Sequence, residues 1–234
     1  DEGFISVIRQ SMAGTEPDIF LVGSHLLAEL AARDIAQPLD DLIADLDMGA
    51  MGYSEAALAL SQVDGSQLGL PWSSSTPVMF YNAELVRQAG GDPDNMPQTW
   101  DETIALAQAI EALGDDIEGM YYAPGTDDWM VQNLLATGGM MPYADGQIAV
   151  STPEGEAALA LWERFHDEGG QEAIPNSAAR QRMYAGQLGL YFNSTAAVGS
   201  FTREIEDRFE WGTALMPLLN EDGGVASGGM AAVI

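Results

Sequence analysis

The most informative stretch of this 234-residue chain is Leu70-Pro71-Trp72-Ser73-Ser74-Ser75-Thr76-Pro77-Val78-Met79-Phe80-Tyr81-Asn82. Its second half contains a continuous apolar run, Val78–Tyr81, of the length typical of a buried strand. Its first half places a tryptophan before four consecutive hydroxyl side chains, which are too polar for a core, so we predict a loop there. A bulky indole beside three serines serves no purpose in a turn, and the combination favours contact with a ligand.

Helical and strand signals alternate along the rest of the chain, which is typical of an α/β protein. Short apolar runs predict further strands at 18–22, 121–123, 188–192 and 211–216. The run at 18–22 is apolar nearly throughout, so we expect a buried parallel strand there. Thr99 and Glu102 form a capping box, which predicts that a helix begins at this point.

The charge of the chain excludes several classes of partner. There are 36 acidic residues against 8 basic ones, a formal net charge of −28, and every basic residue is an arginine. Such a protein repels nucleic acids and anionic lipid, so we expect no nucleic-acid partner. Because the chain has no cysteine, it has no disulfide, zinc–thiolate site or cysteine nucleophile. Hydrophobic residues make up 47% of the chain and charged residues 19%, which indicates a globular protein.

Neither end of the sequence has the pattern of a natural terminus. The first residues already have a helical pattern, and the last ones, Val233 and Ile234, lie in an apolar run. We therefore expect the sequence to be an internal portion of a longer polypeptide. The absence of a signal peptide then says little about location.

No motif supports catalysis. His25 follows Ser24, but Gly23-Ser24-His25 lacks the Gly-x-Ser-x-Gly pattern that presents a nucleophile, and His166 lies on a predicted helix surface. We therefore assign no catalytic residue. Glycoside hydrolysis by a carboxylate pair stays open as an alternative, because 36 acids supply pairs everywhere.

No motif supports a metal ion or a cofactor either. The sequence contains neither a dinucleotide-binding glycine pattern nor a phosphate-binding loop. Two acidic pairs resemble fragments of a calcium loop but lack the remaining ligand spacing, so we interpret them as turn and capping residues. These pairs are Asp45 with Asp47 and Asp92 with Asp94.

Polar and aromatic groups follow several predicted strands, at the edge where open α/β sheets bind ligands. They are Gly23-Ser24-His25, Trp72 to Thr76, Asp127-Asp128-Trp129, Asn193-Ser194-Thr195 and Ser227-Gly228-Gly229. Hydroxyls, glycine backbone amides and indole faces suit a sugar or another polyol, whose rings stack while its hydroxyls exchange hydrogen bonds. For Asn193 to Thr195, ordinary turn and capping roles explain the residues equally well.

Five segments together carry a family resemblance that spans essentially the whole chain. They are 70–82, Ala89-Gly90-Gly91-Asp92-Pro93, Pro97-Gln98-Thr99-Trp100-Asp101-Glu102, Ala13-Gly14-Thr15-Glu16-Pro17-Asp18-Ile19 and Gly228-Gly229-Met230-Ala231. The chain resembles the extracellular solute-binding proteins of bacterial ABC importers, family 1, of the maltose and glycerol-3-phosphate type.

The resemblance implies a two-lobed periplasmic-binding-protein fold, a hinged trap of two α/β lobes that closes on a ligand. It places residues 1–80 and 218–234 in lobe one and residues 83–214 in lobe two, with crossovers near 80–82 and 215–217. It also implies a periplasmic monomer that is not an enzyme and delivers its ligand to the transmembrane permease subunits of an ABC importer.

Some binding positions of the glycerol-3-phosphate branch match this sequence and others do not. Ser75, Gly229 and Trp129 correspond to ligand-contacting positions. A second ligand position next to the tryptophan holds Thr126, an acidic position falls on Gly23 or Ser24, and a serine position falls on Ala197. These departures, with Asp127 and Asp128 beside the tryptophan, favour a neutral sugar or polyol over a phosphate.

The sequence therefore predicts a binding protein for a carbohydrate or polyol. Glycerol-3-phosphate or a glycerophosphodiester is the alternative ligand. We predict that two tryptophans stack on the ligand, that Ser24, His25 and the serine loop hydrogen-bond it, and that a glycine permits close backbone approach. The predicted ligand-binding residues are Ser24, His25, Trp72, Ser74, Ser75, Trp129, Asn193 and Gly229.

Overall fold

The computed structural model describes residues 2–15, 17–123, 129–140, 143–144, 147–148 and 150–234. The chain divides into two compact units: unit 1 contains Asp1–Ser75 and Ser227–Ile234, and unit 2 contains Thr76–Ala226. These divisions lie several residues from the predicted crossovers at 80–82 and 215–217, and the assignment of lobes stays a prediction.

Helices and strands alternate along the chain, so the predicted α/β class is confirmed. The helices are α1 (Glu2–Ala13), α2 (Leu27–Ala32), α3 (Asp40–Ile43), α4 (Glu55–Ala59), α5 (Ala83–Gln88), α6 (Trp100–Glu111), α7 (Trp129–Thr137), α8 (Pro153–Asp167), α9 (Asn176–Tyr184) and α10 (Val198–Ile205). The strands are β1 (Phe20–Gly23), β2 (Gln62–Val63), β3 (Ser66–Gln67), β4 (Leu70–Ser75), β5 (Pro77–Asn82), β6 (Glu118–Tyr122), β7 (Tyr143–Ala144), β8 (Gln147–Ile148), β9 (Leu188–Ser194), β10 (Trp211–Ala214) and β11 (Gly228–Val233). Within the described ranges, no helix has the length and apolar character needed to cross a membrane.

Unit 1 is built on a three-stranded sheet in the order β1–β11–β4, in which both neighbours run antiparallel to β11. One face of this sheet is covered by a core cluster that includes Phe20, Val22 and Leu30. The expectation of a buried parallel strand at 18–22 is wrong. Leu21 alternates to the other face and is 43% exposed, because a sheet covered on one side buries only every second side chain.

The prediction of a loop in the serine run after Trp72 is also wrong. Residues Leu70–Ser75 form β4, whose backbone pairs with β11 on one side. Because β4 is the last strand of this sheet and its side chains are exposed or half-buried, a polar serine run is compatible with strand structure.

Unit 2 contains a four-stranded sheet in the order β10–β5–β9–β6, with β6 parallel to β9 and the other pairs antiparallel. Successive strand residues point to opposite faces, and both faces are covered. One core cluster includes Met79, Trp100, Tyr122, Phe165 and Phe192. The other includes Phe80, Tyr121, Met183, Tyr191 and Phe201. Burial on both faces explains why these strands are apolar without alternation.

The capping prediction at Thr99 is confirmed. The Thr99 hydroxyl accepts a hydrogen bond from the backbone N–H of Glu102 at 3.3 Å, and α6 begins at the next residue. This cap sets the position of Trp100, which α6 delivers into the core of unit 2.

Candidate ligand-binding site

Strand register gathers the predicted binding groups of unit 1 at one edge of its sheet. The register pairs Gly23 with Met230 and Ser74 with Gly229. Since β1 and β4 both run antiparallel to β11, the carboxyl ends of β1 and β4 meet the amino end of β11. We call the resulting group the edge patch; it consists of Ser24, His25, Trp72, Ser74, Ser75 and Gly229.

A β-bulge positions Trp72 within the edge patch. Met230 is the register partner of Ser73 and Ala231 is the partner of Pro71, so Trp72 is the extra residue of the bulge. Bulges bend a strand and redirect a side chain, and the Trp72 side chain is 68% exposed. An exposed indole face at the end of a sheet is a suitable stacking surface for a sugar ring.

The polar side chains of the edge patch have unused hydrogen-bonding capacity. Within the described part of the chain, Ser24, His25, Ser74 and Ser75 make no side-chain hydrogen bond. His25 and Ser74 are exposed, and Ser24 and Ser75 are half-buried. The patch therefore presents hydroxyls and an imidazole that a polyol could engage.

Ser24 follows strand β1 directly and does not cap helix α2. It is the first residue of a 3₁₀ turn, Ser24–Leu26, and the residue preceding α2 is Leu26, which makes no capping hydrogen bond. The serine hydroxyl is thus free of a capping role.

Gly229 has a packing reason to be glycine. A Cβ atom at this position would lie 2.3 Å from the carbonyl oxygen of Ser73 on the paired strand β4. The bulged pairing that positions Trp72 therefore requires a residue without a side chain here. The predicted role of Gly229 in ligand approach stays a prediction.

Replacing Gly229 by alanine should lower the free energy of unfolding of the full-length protein by about 1–3 kcal/mol, because the β4–β11 pairing must shift to admit the methyl group. Urea denaturation followed by circular dichroism measures this loss. Gly224→Ala is the matched control, since a Cβ at Gly224 meets no atom within 4 Å. Equal stability of the two variants would show that the pairing tolerates the methyl group.

Trp129, the predicted stacking residue of unit 2, is the first residue of α7. Its indole is half-buried against the core cluster that contains Trp100. The buried Asn133 ties the start of α7 in place: its Nδ2 donates to the Trp129 carbonyl at 2.9 Å, and its Oδ1 accepts from the Ala226 N–H at 2.7 Å. The neighbouring predictions for Thr126, Asp127 and Asp128 lie outside the described residues.

Asn193 lies within β9 and not after it, and both ends of its amide have partners. Its Nδ2 donates to the Tyr191 hydroxyl at 2.6 Å, and its Oδ1 accepts from the Ser194 N–H at 2.7 Å. The prediction that Asn193 contacts a ligand remains a prediction.

A cluster that the sequence analysis missed surrounds Asn193. The Tyr191 hydroxyl donates to Asn176 Oδ1 at 2.6 Å, and the Arg180 guanidinium group interacts with the same hydroxyl. Asn176 and Arg180 are four residues apart on α9, while Tyr191 and Asn193 are two apart on β9, so each pair shares one face of its element. These spacings are the signal that could have identified the cluster.

The residues considered for other chemistry have ordinary local partners. Asp47 accepts a hydrogen bond from the Ala50 N–H at 2.9 Å, and Asp92 accepts one from the Asp94 N–H at 3.0 Å, as expected of turn residues. His166 is exposed, with Nδ1 2.9 Å from the Gln171 carbonyl. Among the residues that the structure describes, no group of three or more His, Cys, Asp or Glu side chains is placed to hold a metal ion.

The sequence model of the bacterial extracellular solute-binding protein family matches residues 6–234. The chain belongs to this family. The resemblance seen in the sequence is thereby confirmed, as is the two-lobed periplasmic-binding-protein fold.

Similar proteins match this chain at low sequence identity. The sn-glycerol-3-phosphate-binding periplasmic protein UgpB of Salmonella typhimurium is 26% identical over 226 residues, 91% of this chain and 50% of that protein. UgpB from Mycobacterium tuberculosis, solved with glycerophosphocholine, has a TM-score of 0.86 at 22% identity, over 100% of this chain and 61% of that one. The cyclic alpha-maltosyl-1,6-maltose binding protein from Arthrobacter globiformis has a TM-score of 0.78 at 27% identity. This match covers 100% of this chain and 60% of that one. The chain thus spans half the length of these curated relatives.

Proposed function

We propose that this chain is part of a periplasmic solute-binding protein of an ABC importer, which captures a carbohydrate or polyol and delivers it to the transmembrane permease. The whole protein acts as a monomer and performs no chemistry on its ligand. The observation that carries the proposal is the edge patch, where an exposed tryptophan on a bulge lies next to hydroxyls that have no partner among the described residues.

The edge patch suits a polyol for two reasons. A sugar ring presents an apolar face of C–H groups that stacks on an indole such as Trp72, and this contact excludes water from both surfaces. The ligand hydroxyls both donate and accept, which matches the serine hydroxyls and the imidazole of His25. Within unit 2, Trp129 and the residues around Asn193 are candidate ligand groups in their own right. The Arthrobacter relative, whose name specifies a maltosyl-maltose ligand, is consistent with this ligand class.

Glycerol-3-phosphate or a glycerophosphodiester is the second candidate ligand. The names of the Salmonella and Mycobacterium relatives specify these compounds, and both are small polyols that carry a phosphate. They would use the same edge patch for their hydroxyl groups and require an additional cationic group for the phosphate.

Native mass spectrometry of the full-length protein tests the proposal, because a tightly held ligand survives purification. We expect a co-purified sugar or polyol, and we expect that compound, added at about 100 times its Kd, to increase stability by about 2.7 kcal/mol in a thermal-shift assay. Tight binding of glycerol-3-phosphate with no response to any sugar would select the second candidate. The absence of any bound or stabilising polyol would refute the proposal.

A glycoside hydrolase is the alternative from another class of protein. Incubation of the full-length protein with oligosaccharides distinguishes the two, because a binding protein leaves every glycosidic bond intact. Cleavage that is lost on removing one carboxylate, but not in Trp129→Ala, would contradict the transport function.

A further inference from the structure

Arg180 is a partly buried cation that has no counter-charge among the residues the structure describes. Its Nε is buried and has no hydrogen-bond partner there, and its guanidinium group interacts with the Tyr191 hydroxyl. Within the described ranges, no carboxylate forms an ion pair with it, whereas other arginines do. A cation withdrawn from water without a negative partner is unfavourable, so this arrangement requires an explanation.

A shortage of acidic residues does not explain why Arg180 has no ion pair among the described residues, because the chain has 36 acidic residues. Arg182, only two residues further along α9, pairs with Glu172 at 2.8 Å and with the buried Glu118 at 3.1 Å. Arg9 and Arg208 also form no ion pair within the part of the chain that the structure describes, but both are exposed to water. Arg180 differs from them because it is half-buried.

The described groups around Arg180 do not supply negative charge. The Tyr191 hydroxyl donates to Asn176 Oδ1 and accepts from Asn193 Nδ2, so it offers Arg180 only its remaining lone pair. Burial raises the pKa of Tyr191, although Arg180 opposes this, and the hydroxyl stays neutral at physiological pH.

Helix α9 adds to the positive local potential. It has no acidic residue in its first turn, and Pro175, which precedes it, supplies no side-chain cap. The partial positive charge of the helix start therefore lies about one turn from Arg180, with Asn176 as its first residue. The cluster of Asn176, Arg180 and Asn193 thus combines a cation with amide groups, next to the carboxyl end of β9.

We propose that Arg180 binds an anionic group of the transported ligand, a phosphate or a carboxylate, so that the ligand is an acidic sugar or polyol. This inference rests on the proposed function and narrows its ligand class. Most of the five guanidinium N–H donors have no protein partner among the described residues, and a planar fork of donors matches an oxyanion. The oxyanion supplies the counter-charge that the described residues do not provide at this position.

Isothermal titration calorimetry of the full-length protein tests the inference with two matched pairs of probes and one further anion. The pairs are glycerol-3-phosphate with glycerol and galacturonate with galactose, and the further anion is inorganic phosphate alone. We expect the wild-type protein to bind an anionic probe about ten- to a hundredfold more tightly than its neutral counterpart. Arg180→Met should abolish this preference and leave the neutral affinity within about twofold. Arg180→Lys keeps the charge without the fork and should retain part of the preference.

Arg203→Met is the matched control, since Arg203 is exposed and paired with Glu204. It should bind both classes of probe as the wild type does. If Arg180→Met fails to fold, two results still test the inference. They are the preference of the wild-type protein for the anionic probe and the partial retention of that preference in Arg180→Lys. Tight binding of neutral sugars with no preference for the anion, an unchanged preference in Arg180→Met, or no binding of any anionic probe would overturn the inference. The first of these outcomes would leave the proposed function intact, whereas failure of every sugar and polyol to bind would refute both.

Discussion

Trp72→Ala is expected to weaken ligand binding by the full-length protein by about ten- to a hundredfold, the range typical of a central aromatic contact. The indole is 68% exposed on a bulge, so its removal deletes a stacking surface and almost no core packing. The free energy of unfolding should therefore change by less than about 0.5 kcal/mol. Calorimetric titration with the ligand found by mass spectrometry measures the first effect, and urea denaturation measures the second.

Met12→Ala is the matched control, because Met12 is also an exposed apolar side chain, 84% exposed, on α1, and it is not part of the edge patch. Both affinity and stability should stay at the wild-type values in this variant. Wild-type affinity in Trp72→Ala would remove the edge patch from the binding site. A large loss of stability in Trp72→Ala would instead assign the tryptophan to the core.

Trp100→Ala is expected to have the largest effect on stability, a loss of about 3–5 kcal/mol. Trp100 is 2% exposed, and its ring centre lies 5.0 Å from that of Phe165, 5.2 Å from that of Phe192 and 5.9 Å from that of Tyr122. Alanine would leave a cavity between α6, α8 and the sheet of unit 2. Urea denaturation of the full-length protein, followed by circular dichroism, measures the loss.

Trp100→Phe separates aromatic packing from polarity. The indole Nε1 is buried without a hydrogen-bond partner among the described residues, so phenylalanine removes an unsatisfied polar group while it retains most of the ring contact. We expect this variant to lose less than half as much stability as Trp100→Ala. Equal losses in the two variants would show that the full indole volume, and not aromatic contact, determines the stability of this cluster.

Much of the secondary structure was predictable because its signals are local. The Thr99 cap, with its acceptor only three residues from its donor, placed the start of α6 correctly. The apolar runs at 188–192 and 211–216 correspond to β9 and β10, although β9 extends to Ser194 and β10 ends at Ala214. Strand ends differ because they depend on how far the neighbouring strand continues, as the pairing of β9 with β5 up to Ser194 and Pro77 shows.

The errors at β1 and β4 have a common cause. An apolar run does not reveal whether one face or both faces of its sheet are covered, so the direction and burial of β1 were predicted wrongly. A serine run does not reveal that a partner strand will satisfy its backbone, so β4 was predicted as a loop. In both cases the missing information is the identity of β11 as the partner, which comes from the far end of the chain.

For the candidate site too, some features were predictable from the sequence and others were not. Residue types and local motifs were sufficient to identify an acidic α/β chain of the solute-binding family and to nominate Trp72 and its serines, because composition and short motifs do not depend on long-range pairing. Only the folded chain shows the bulge that exposes Trp72 and the need for glycine at position 229. It alone also shows that Arg180 has no ion pair among the described residues. Each of these depends on atoms from separate elements meeting at a few ångströms, and the register that brings them together is determined by the packing of the whole unit.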